Sequence, residues 1–477
     1  MKRIICSLII CLYLKCSIAQ HSWHSVGGGV YSAFGTGGGA NVLVADTVHN
    51  LLYIGGGFDV VGSNNIAAVK VASWDGTQYS PLGCPTGLDW DFSPFPRYGA
   101  LFNNRPVFGS ENPTAIPGYC GNTPNSYFIT KYNGNEWQPV SSLISFMLKD
   151  LTTFRNRLVV IGQGGSVMMN TGFTTCNSIA ITDSTASYWE LLGDSVNYGV
   201  TLTTTPHTSY IESAFEFNGE LFVNGGFNKA GSLLVSNYGH ARWNGINWLD
   251  AGTMFIGNGN YGIYDNELYF GQIGSLNQAD LFKWTGSDWL LSATASNSSS
   301  PSLCLIHKVL EWEGKMVVTG NFDSIGGIAA NKIAMWDGVQ WMPLGSGLIN
   351  SNAPQVSVGL DLAVFQGSLY VAGGFDNAGG IFTTGIARWG PVVGMDELSG
   401  LMPMQVSPNP SKDVCTIESK RFNNATLTVY DITGRQLLQQ PFNSKATVEI
   451  STLSKAVYIA ELRDKEGRSV KGKLVKE

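Results

Sequence analysis

From residue 310 onward the chain alternates short apolar runs with pairs of turn residues. Residues 310–312 and 315–318 are two apolar runs separated by Glu313-Gly314, two residues with Gly second, the spacing of a tight hairpin turn. Thr319-Gly320-Asn321-Phe322 closes the second run, and a polar, Gly-rich loop follows over 323–331. Residues 332–336 predict a third strand, Asp337-Gly338 a type I′ turn, and 339–344 a fourth strand. Trp336 and Trp341 flank that turn, placed to meet across the hairpin as an aromatic pair. Residues 310–345 therefore predict one unit of four short antiparallel strands.

The pattern recurs. The glycine that ends the second strand aligns at Gly56, Gly109, Gly162, Gly225, Gly271, Gly320 and Gly373, with gaps of 53, 53, 63, 46, 49 and 53 residues. The first turn recurs as His49-Asn50, Asn103-Asn104, Arg155-Asn156, Asn218-Gly219, Asp265-Asn266, Glu313-Gly314 and Gln366-Gly367; most carry Asn or Gly, which tolerate positive φ. The second turn recurs as Trp74-Asp75-Gly76, Tyr132-Asn133-Gly134, Trp243-Asn244-Gly245, Trp284-Thr285-Gly286 and Trp336-Asp337-Gly338, while unit three has a longer turn at 183–187. A β-sandwich with frequent hairpins would not keep seven copies in phase; repeated four-strand units predict propeller blades. The copies resemble kelch-like propellers, although the kelch glycine doublet is intact only in some units. They are more similar to fungal cortical-polarity-marker repeats, which share the GGxF and WDG elements. The fold expected is all-β, a seven-bladed β-propeller. The seventh unit stops after its third strand, at Ala387-Arg388-Trp389-Gly390. Trp23-His24-Ser25-Val26-Gly27-Gly28-Gly29 matches Trp341-Met342-Pro343-Leu344-Gly345-Ser346-Gly347, so an N-terminal strand is expected to complete the last blade and remove the open sheet edges.

Four segments are expected. Residues 1–19 read as a secretory signal, with Lys2 and Arg3, an apolar run over 4–14, and small residues at Ser17 and Ala19. Residues 20–390 are the propeller, and 391–403 a proline-bounded linker. No other apolar run reaches the ~18 residues that span a bilayer. Residues 404–477 carry 12 Lys+Arg against 8 Asp+Glu, whereas 20–403 carry 14 against 27, an asymmetry that marks a separate domain. This domain opens on Val406-Ser407-Pro408-Asn409-Pro410 and continues with two alternating runs, 427–435 and 456–462, expected as strands of a small antiparallel β-sandwich. These motifs resemble the type A C-terminal sorting domain of the type IX secretion system, with Ala456 where that family usually has Gly. The resemblance implies a secreted or outer-membrane-surface protein with two export partners, the type IX translocon and a sortase-like peptidase. It also implies cargo often attached to anionic lipopolysaccharide.

With 58 glycines, 54 aromatics and 13% charged residues, the composition suits many short strands and tight turns. The acidic propeller argues against nucleic acid as a partner. Cys84, Cys120, Cys176, Cys304 and Cys415 lie outside the signal; a Cys84–Cys120 disulfide is plausible because their loops fall on one face, and the others read as buried thiols. The six histidines show no metal-binding spacing, so neither a metal nor another cofactor is expected, and no catalytic residue is assigned. Ser73-Trp74-Asp75-Gly76-Thr77 departs from the sialidase Asp box it resembles, because Asp and Gly are adjacent. Asp89-Trp90-Asp91 reads as solvated rather than calcium-binding. Four Asp-Ser/Thr tripeptides, starting at Asp46, Asp183, Asp194 and Asp323, resemble bacterial O-glycan acceptors.

The long segments between second and third strands, and between units, fall on one face. They carry Trp90, Phe92, Phe95, Tyr98 and Tyr119, the candidate ligand-binding residues, of types that stack on sugars or anchor protein contacts. A glycan- or protein-binding or adhesion module is expected. The alternatives are an enzyme acting on extracellular polysaccharide and a structural surface protein. Carboxylates or histidines clustered at the channel mouth would favour the enzyme; exposed loop aromatics would favour binding.

Overall fold

The computed structural model describes residues 21–32, 38–68, 70–82, 95–110, 129–135, 137–140, 144, 147–193, 197–205, 208–236, 239–253, 257–274, 277–298, 303–354, 357–391, 404–419, 422, 424–431, 434–465 and 469–477. The chain is all-β, and among the described residues no helix is long and apolar enough to cross a membrane.

Among the described residues, seven sets of four antiparallel strands follow the repeat. The first sheet is Ala40–Asp46, Leu51–Gly56, Val71–Trp74 and Tyr79–Pro81; the second is Tyr98–Phe102, Arg105–Gly109, Ile129–Tyr132 and Trp137–Pro139. The third is Met147–Phe154, Arg157–Gln163, Ile179–Thr182 and Trp189–Glu190; the fourth is Tyr210–Phe217, Glu220–Gly226, His240–Trp243 and Trp248–Asp250. Gln163 pairs with Tyr210, which joins these two sets into one eight-stranded sheet. The fifth is Gly259–Tyr264, Glu267–Gln272, Gln278–Trp284 and Trp289–Ser296; the sixth is Leu305–Trp312, Lys315–Asn321, Ile333–Trp336 and Trp341–Pro343. The seventh is Val358–Phe365, Ser368–Gly374 and Ile386–Pro391, and its fourth strand is His21–Ser25, which pairs with the third from His21↔Pro391 to Ser25↔Ala387. Pro391, assigned by sequence to the linker, is thus the last residue of a strand. First strands pack side by side in chain order, and Val358–Phe365 packs on Ala40–Asp46.

Six of the first turns have the predicted length. Both central residues take positive φ, as at Asn103 (51°) and Asn104 (55°) or Gln366 (47°) and Gly367 (74°). The first sheet departs: four residues separate Asp46 from its partner Leu51. Asp46 Oδ1 accepts from Val48 N at 3.0 Å and His49 N at 2.9 Å, so a buried carboxylate organises a longer loop. The second turns correct the I′ prediction. Trp336 pairs with Trp341, and four residues lie between them. Asp337 Oδ1 accepts from Val339 N and Gln340 N, both at 2.8 Å. Asp75 and Asn244 cap their turns in the same way. The side-chain oxygen supplies the acceptor that a second left-handed residue would otherwise make unnecessary. The aromatic pairs do meet: ring centroids are 5.6 Å apart for Trp336–Trp341 and 5.3 Å for Trp23–Trp389.

In the first, third, fourth, sixth and seventh sheets a small hairpin sits between second and third strands. It pairs with the chain leaving the preceding sheet, as in Val30↔Val61, Val200↔Ala230, Ala295↔Ile325, Leu348↔Ala378 and the bridge Ile144↔Val167. In four of these the GxF phenylalanine, Phe58, Phe227, Phe322 or Phe375, is the buried root of the hairpin. Close packing explains the turn glycine: a Cβ on Gly379 (φ 58°) would lie 2.0 Å from Trp23 Cδ1.

The C-terminal segment forms two antiparallel sheets. One is Gln405–Ser407, Val414–Glu418 and Lys445–Glu449; the other is Gln436–Phe442, Ala425–Tyr430, Val457–Arg463 and Ser469–Val475. They share a core that includes Cys415, Ile417, Leu427, Val429, Tyr458 and Leu462. Asn409 of the opening motif clamps the last strand, donating to Lys473 O and accepting from Val475 N, both at 2.8 Å.

Candidate functional site

Of the loop residues singled out by sequence, Trp90, Phe92, Tyr119, Cys84 and Cys120 lie outside the described residues, as do the signal and residues 392–403 of the linker. Tyr98 is the first residue of the second sheet; it pairs with Gly109 and packs half-buried against the core. Phe95 is half-buried with the Arg97 guanidinium 5.3 Å from its ring centre. Cys176, Cys304 and Cys415 are buried free thiols, and burial pushes Cys176 up to about 12 and Cys304 to about 11.

A second cluster was missed by sequence. Five first strands carry a bulge near their start, at Asn41, Lys149, Glu212, His307 and Leu360, where the partner strand skips a residue. A bulge re-aims the next side chain. The following residues are Val42, Asp150, Ser213, Lys308 and Asp361, and several reach the neighbouring sheet. Lys308 Nζ lies 3.0 Å from Asp361 Oδ1, and Leu43 N donates to Asp361 Oδ2 at 2.9 Å, so sheets six, seven and one are linked in series. Ser213 Oγ donates to Gly259 O of the fifth sheet at 2.7 Å. Asp150 accepts from Leu151 N at 2.8 Å and from the Ala214 N–H of the fourth sheet. The Lys308 side chain keeps 39% exposure and Asp361 10%, so water reaches the cation while its partner stays covered.

The electrostatics follow from this crowding. Burial pushes Asp150 up to about 7, with the Asp361 charge adding to it and Leu151 N–H, Lys308 and Ala214 N–H opposing. Asp361 raises Lys308 and keeps it protonated. Burial holds His307 down at about 4, against the pull of Asp361. One half-buried acid of raised pKa, one ion pair and one neutral imidazole therefore share the bulged strand ends. A signal existed: Asp150, Ser213, Lys308 and Asp361 each stand five residues before the first turn residue, Arg155, Asn218, Glu313 or Gln366. Polar side chains at a fixed offset in otherwise apolar strands mark an inward row.

Among the described residues no group of three or more His, Cys, Asp or Glu is arranged to hold a metal. Three further described histidines, His240, His49 and His21, make structural contacts. His240 is buried, with Nε2 2.7 Å from Gly257 O, and burial lowers it to about 4. His49 lies 2.7 Å from Asp46, and His21 stacks edge-on against Trp312.

Residues 405–477 match the secretion system C-terminal sorting domain family. None of the curated proteins matches the chain. Among solved structures, a fungal alcohol oxidase of the AA5 family in complex with copper aligns over 96% of this chain and 100% of its own at 11% identity, with a TM-score of 0.43. The extracellular domain of a putative one-component system from B. thetaiotaomicron aligns over 93% of this chain and 74% of its own at 12% identity, with a TM-score of 0.31. The sorting domain indicates type IX export, a cell-surface or secreted location, and interaction with the secretion machinery.

Proposed function

We propose that the exported chain is a seven-bladed β-propeller that acts as a glycan- or protein-binding module at or beyond the cell surface. Contacts that tie the N-terminal strand of the seventh sheet to the sixth sheet on one side and to the first on the other support the ring. Trp23 Nε1 donates to Leu344 O at 2.8 Å and Tyr79 Oη to Val26 O at 2.7 Å. Each is a fourth-strand aromatic bonding the carbonyl just past the preceding sheet's fourth strand, and Trp137 with Leu82 and Trp289 with Ala251 do the same inside the chain. On the turn side, Gln366 Nε2 reaches Asp75 O at 2.8 Å, as Arg155 reaches Asn244 O at 2.7 Å.

The observation that carries the binding reading is the asymmetry of the two ends of the sheets. One end has turns of two to six residues, tied by capping side chains and crossed by Gln366 and Arg155. The other holds the five stitched hairpins and the bulged strand ends. A rigid base with an elaborated opposite rim is the arrangement of a recognition scaffold. Trp90 and Tyr119 remain the first candidates for ligand contact, and removal of 404–477 by a sortase-like peptidase belongs to the same proposal. The test is a glycan array and a surface-protein pull-down with the exported protein. Trp90→Ala with Tyr119→Ala, folded by circular dichroism, is expected to weaken the best hit at least tenfold; unchanged affinity removes that patch.

A second reading is favoured by the raised acid Asp150 beside Lys308–Asp361 and His307: an extracellular polysaccharide-acting enzyme. It predicts turnover of a polysaccharide panel that Asp150→Asn abolishes.

A further inference from the structure

His21–Ser25 is the outer strand of the seventh sheet and, among the described residues, pairs on one side only, with Ile386–Pro391. The chain that follows it is held independently. Val26 O accepts from Tyr79 Oη at 2.7 Å and from Gly29 N at 2.8 Å. Gly27 O accepts from Ser63 N and Gly29 O from Gly62 N, both at 2.8 Å, which ties this turn to the hairpin of the first sheet. Gly27, Gly28 and Gly29 take φ of 54°, 103° and 91°, values that favour glycine and turn the chain sharply away from the strand. The strand therefore ends at a defined hinge, and undocking it leaves the bonds of the first sheet in place.

His24 stands in this strand opposite Arg388. The guanidinium is fixed in its turn. Arg388 Nη1 donates to Ser368 Oγ at 3.3 Å, and Tyr370, its neighbour on the other side, accepts the Trp74 indole proton on Oη at 3.3 Å. His24 is half-buried; its ring donates to the Gly390 carbonyl, and its Nε2 lies 3.1 Å from Ser22 Oγ. A neutral imidazole suits this arrangement. An imidazolium would set a second cation beside a guanidinium that does not lose its proton. Tyr370 and, from the first sheet, Tyr79 are the other titratable groups on this face, and burial keeps Tyr79 protonated. Asp75 of the first sheet turns its carboxylate onto Thr77 and Gln78 of its own loop.

Burial first and Arg388 second hold His24 down at about 4, with the Gly390 carbonyl opposing. Undocking returns the ring to its ordinary 6.5, so the free strand takes up a proton that the docked strand excludes. The hold that His24 gives is complete above pH 6.5 and is lost as pH falls toward 4. His21, at the far end of the strand, lies 3.4 Å from Glu313 of the sixth sheet, where a proton would attract rather than repel, so release belongs to His24. We propose that His21–Ser25 is an acid-released latch: a proton on His24 undocks the strand at the Val26–Gly29 hinge and opens the edge of the seventh sheet, while the other sheets stay folded. The opened edge presents the backbone groups of Ile386–Pro391 for pairing. The latch acts whatever ligand the protein binds.

The test is hydrogen exchange of the exported protein from pH 6.5 to pH 4.5, read by mass spectrometry and corrected for the intrinsic pH dependence of amide exchange. In wild type, protection of residues 22–25 and 386–390 is expected to fall at least tenfold, with Glu220–Gly226 of the fourth sheet unchanged. His24→Gln and His24→Phe, neither of which takes up a proton, are expected to keep their protection flat over the same range. Flat protection in wild type overturns the latch, and so does an equal fall in both variants. Protection lost from the fourth sheet at the same pH would make the event global acid unfolding and overturns it as well.

Discussion

Trp23 is 5% exposed, sits edge-on to Trp389, and spends its indole proton on the Leu344 carbonyl of another sheet. It unites a large buried area with a bond that nothing else in the N-terminal strand can replace. Trp23→Ala is expected to destabilise the protein by about 3–5 kcal/mol, the range for emptying an aromatic core site. A near-zero change in the denaturation midpoint would show that the strand does not hold the seventh sheet in place. Asp150 makes a different prediction. Its folded pKa of about 7 lies above its ordinary value of 3.8, so the folded state favours the protonated acid. The associated stability is complete below pH 4 and is lost as pH rises to 7; above that an ionised, half-buried carboxylate opposes folding. Asp150→Asn, always neutral, should therefore gain in thermal midpoint relative to wild type as pH increases from 4 to 7, and hold that gain above 7. A difference that stays flat with pH would mean that Asp150 is already ionised, and paired, throughout.

At the level of strands and turns, the second turn is set by one oxygen. Asn244 Oδ1 accepts from Ile246 N at 2.9 Å and Asn247 N at 2.8 Å, while the tip residue Ile246 stays exposed. Asn244→Ala removes both bonds and is expected to cost about 1–2 kcal/mol. Asn244→Asp, the residue of the first and sixth sheets, should be close to neutral, and chemical denaturation of both variants checks the contrast. Equal losses would assign the role to side-chain size rather than to the acceptor. This turn also marks how far the sequence could be read. Strand pairs, aromatic partners and the recruitment of His21–Ser25 were legible because hydrophobic alternation and Trp spacing report directly on pairing. Turn length was not, because Asp-Gly suits both a two-residue I′ turn and a four-residue loop capped by the carboxylate, and only three-dimensional register decides. The bulges were hidden for a related reason. A single extra residue such as His307 shifts the inward row without changing composition, so Asp150, Lys308 and Asp361 read as ordinary polar positions in a strand.

For the whole molecule, the two parts have separate cores. Among the described residues, none from the four-strand repeats enters the cluster built on Cys415, Phe442 and Leu462, and the last strand of the sorting domain is clamped by Asn409. The repeats, for their part, draw their fourth closing strand from the N-terminal end of the described chain, with His21 opposite Pro391. Among the described residues, every strand paired within the repeats therefore lies at or before Pro391. Deleting residues 404–477 should leave them folded, with an unchanged thermal transition, but retained in the periplasm, because the matched sorting domain supplies the export signal. Cell fractionation of the truncated strain decides between the two outcomes, and truncated protein found outside the cell would separate export from this domain. The same independence makes the intervening stretch the place to cut. Intact mass of the secreted protein is expected to place its C-terminus within 391–403, and a mass that retains 404–477 would show that the sorting domain travels with the cargo and stays on it.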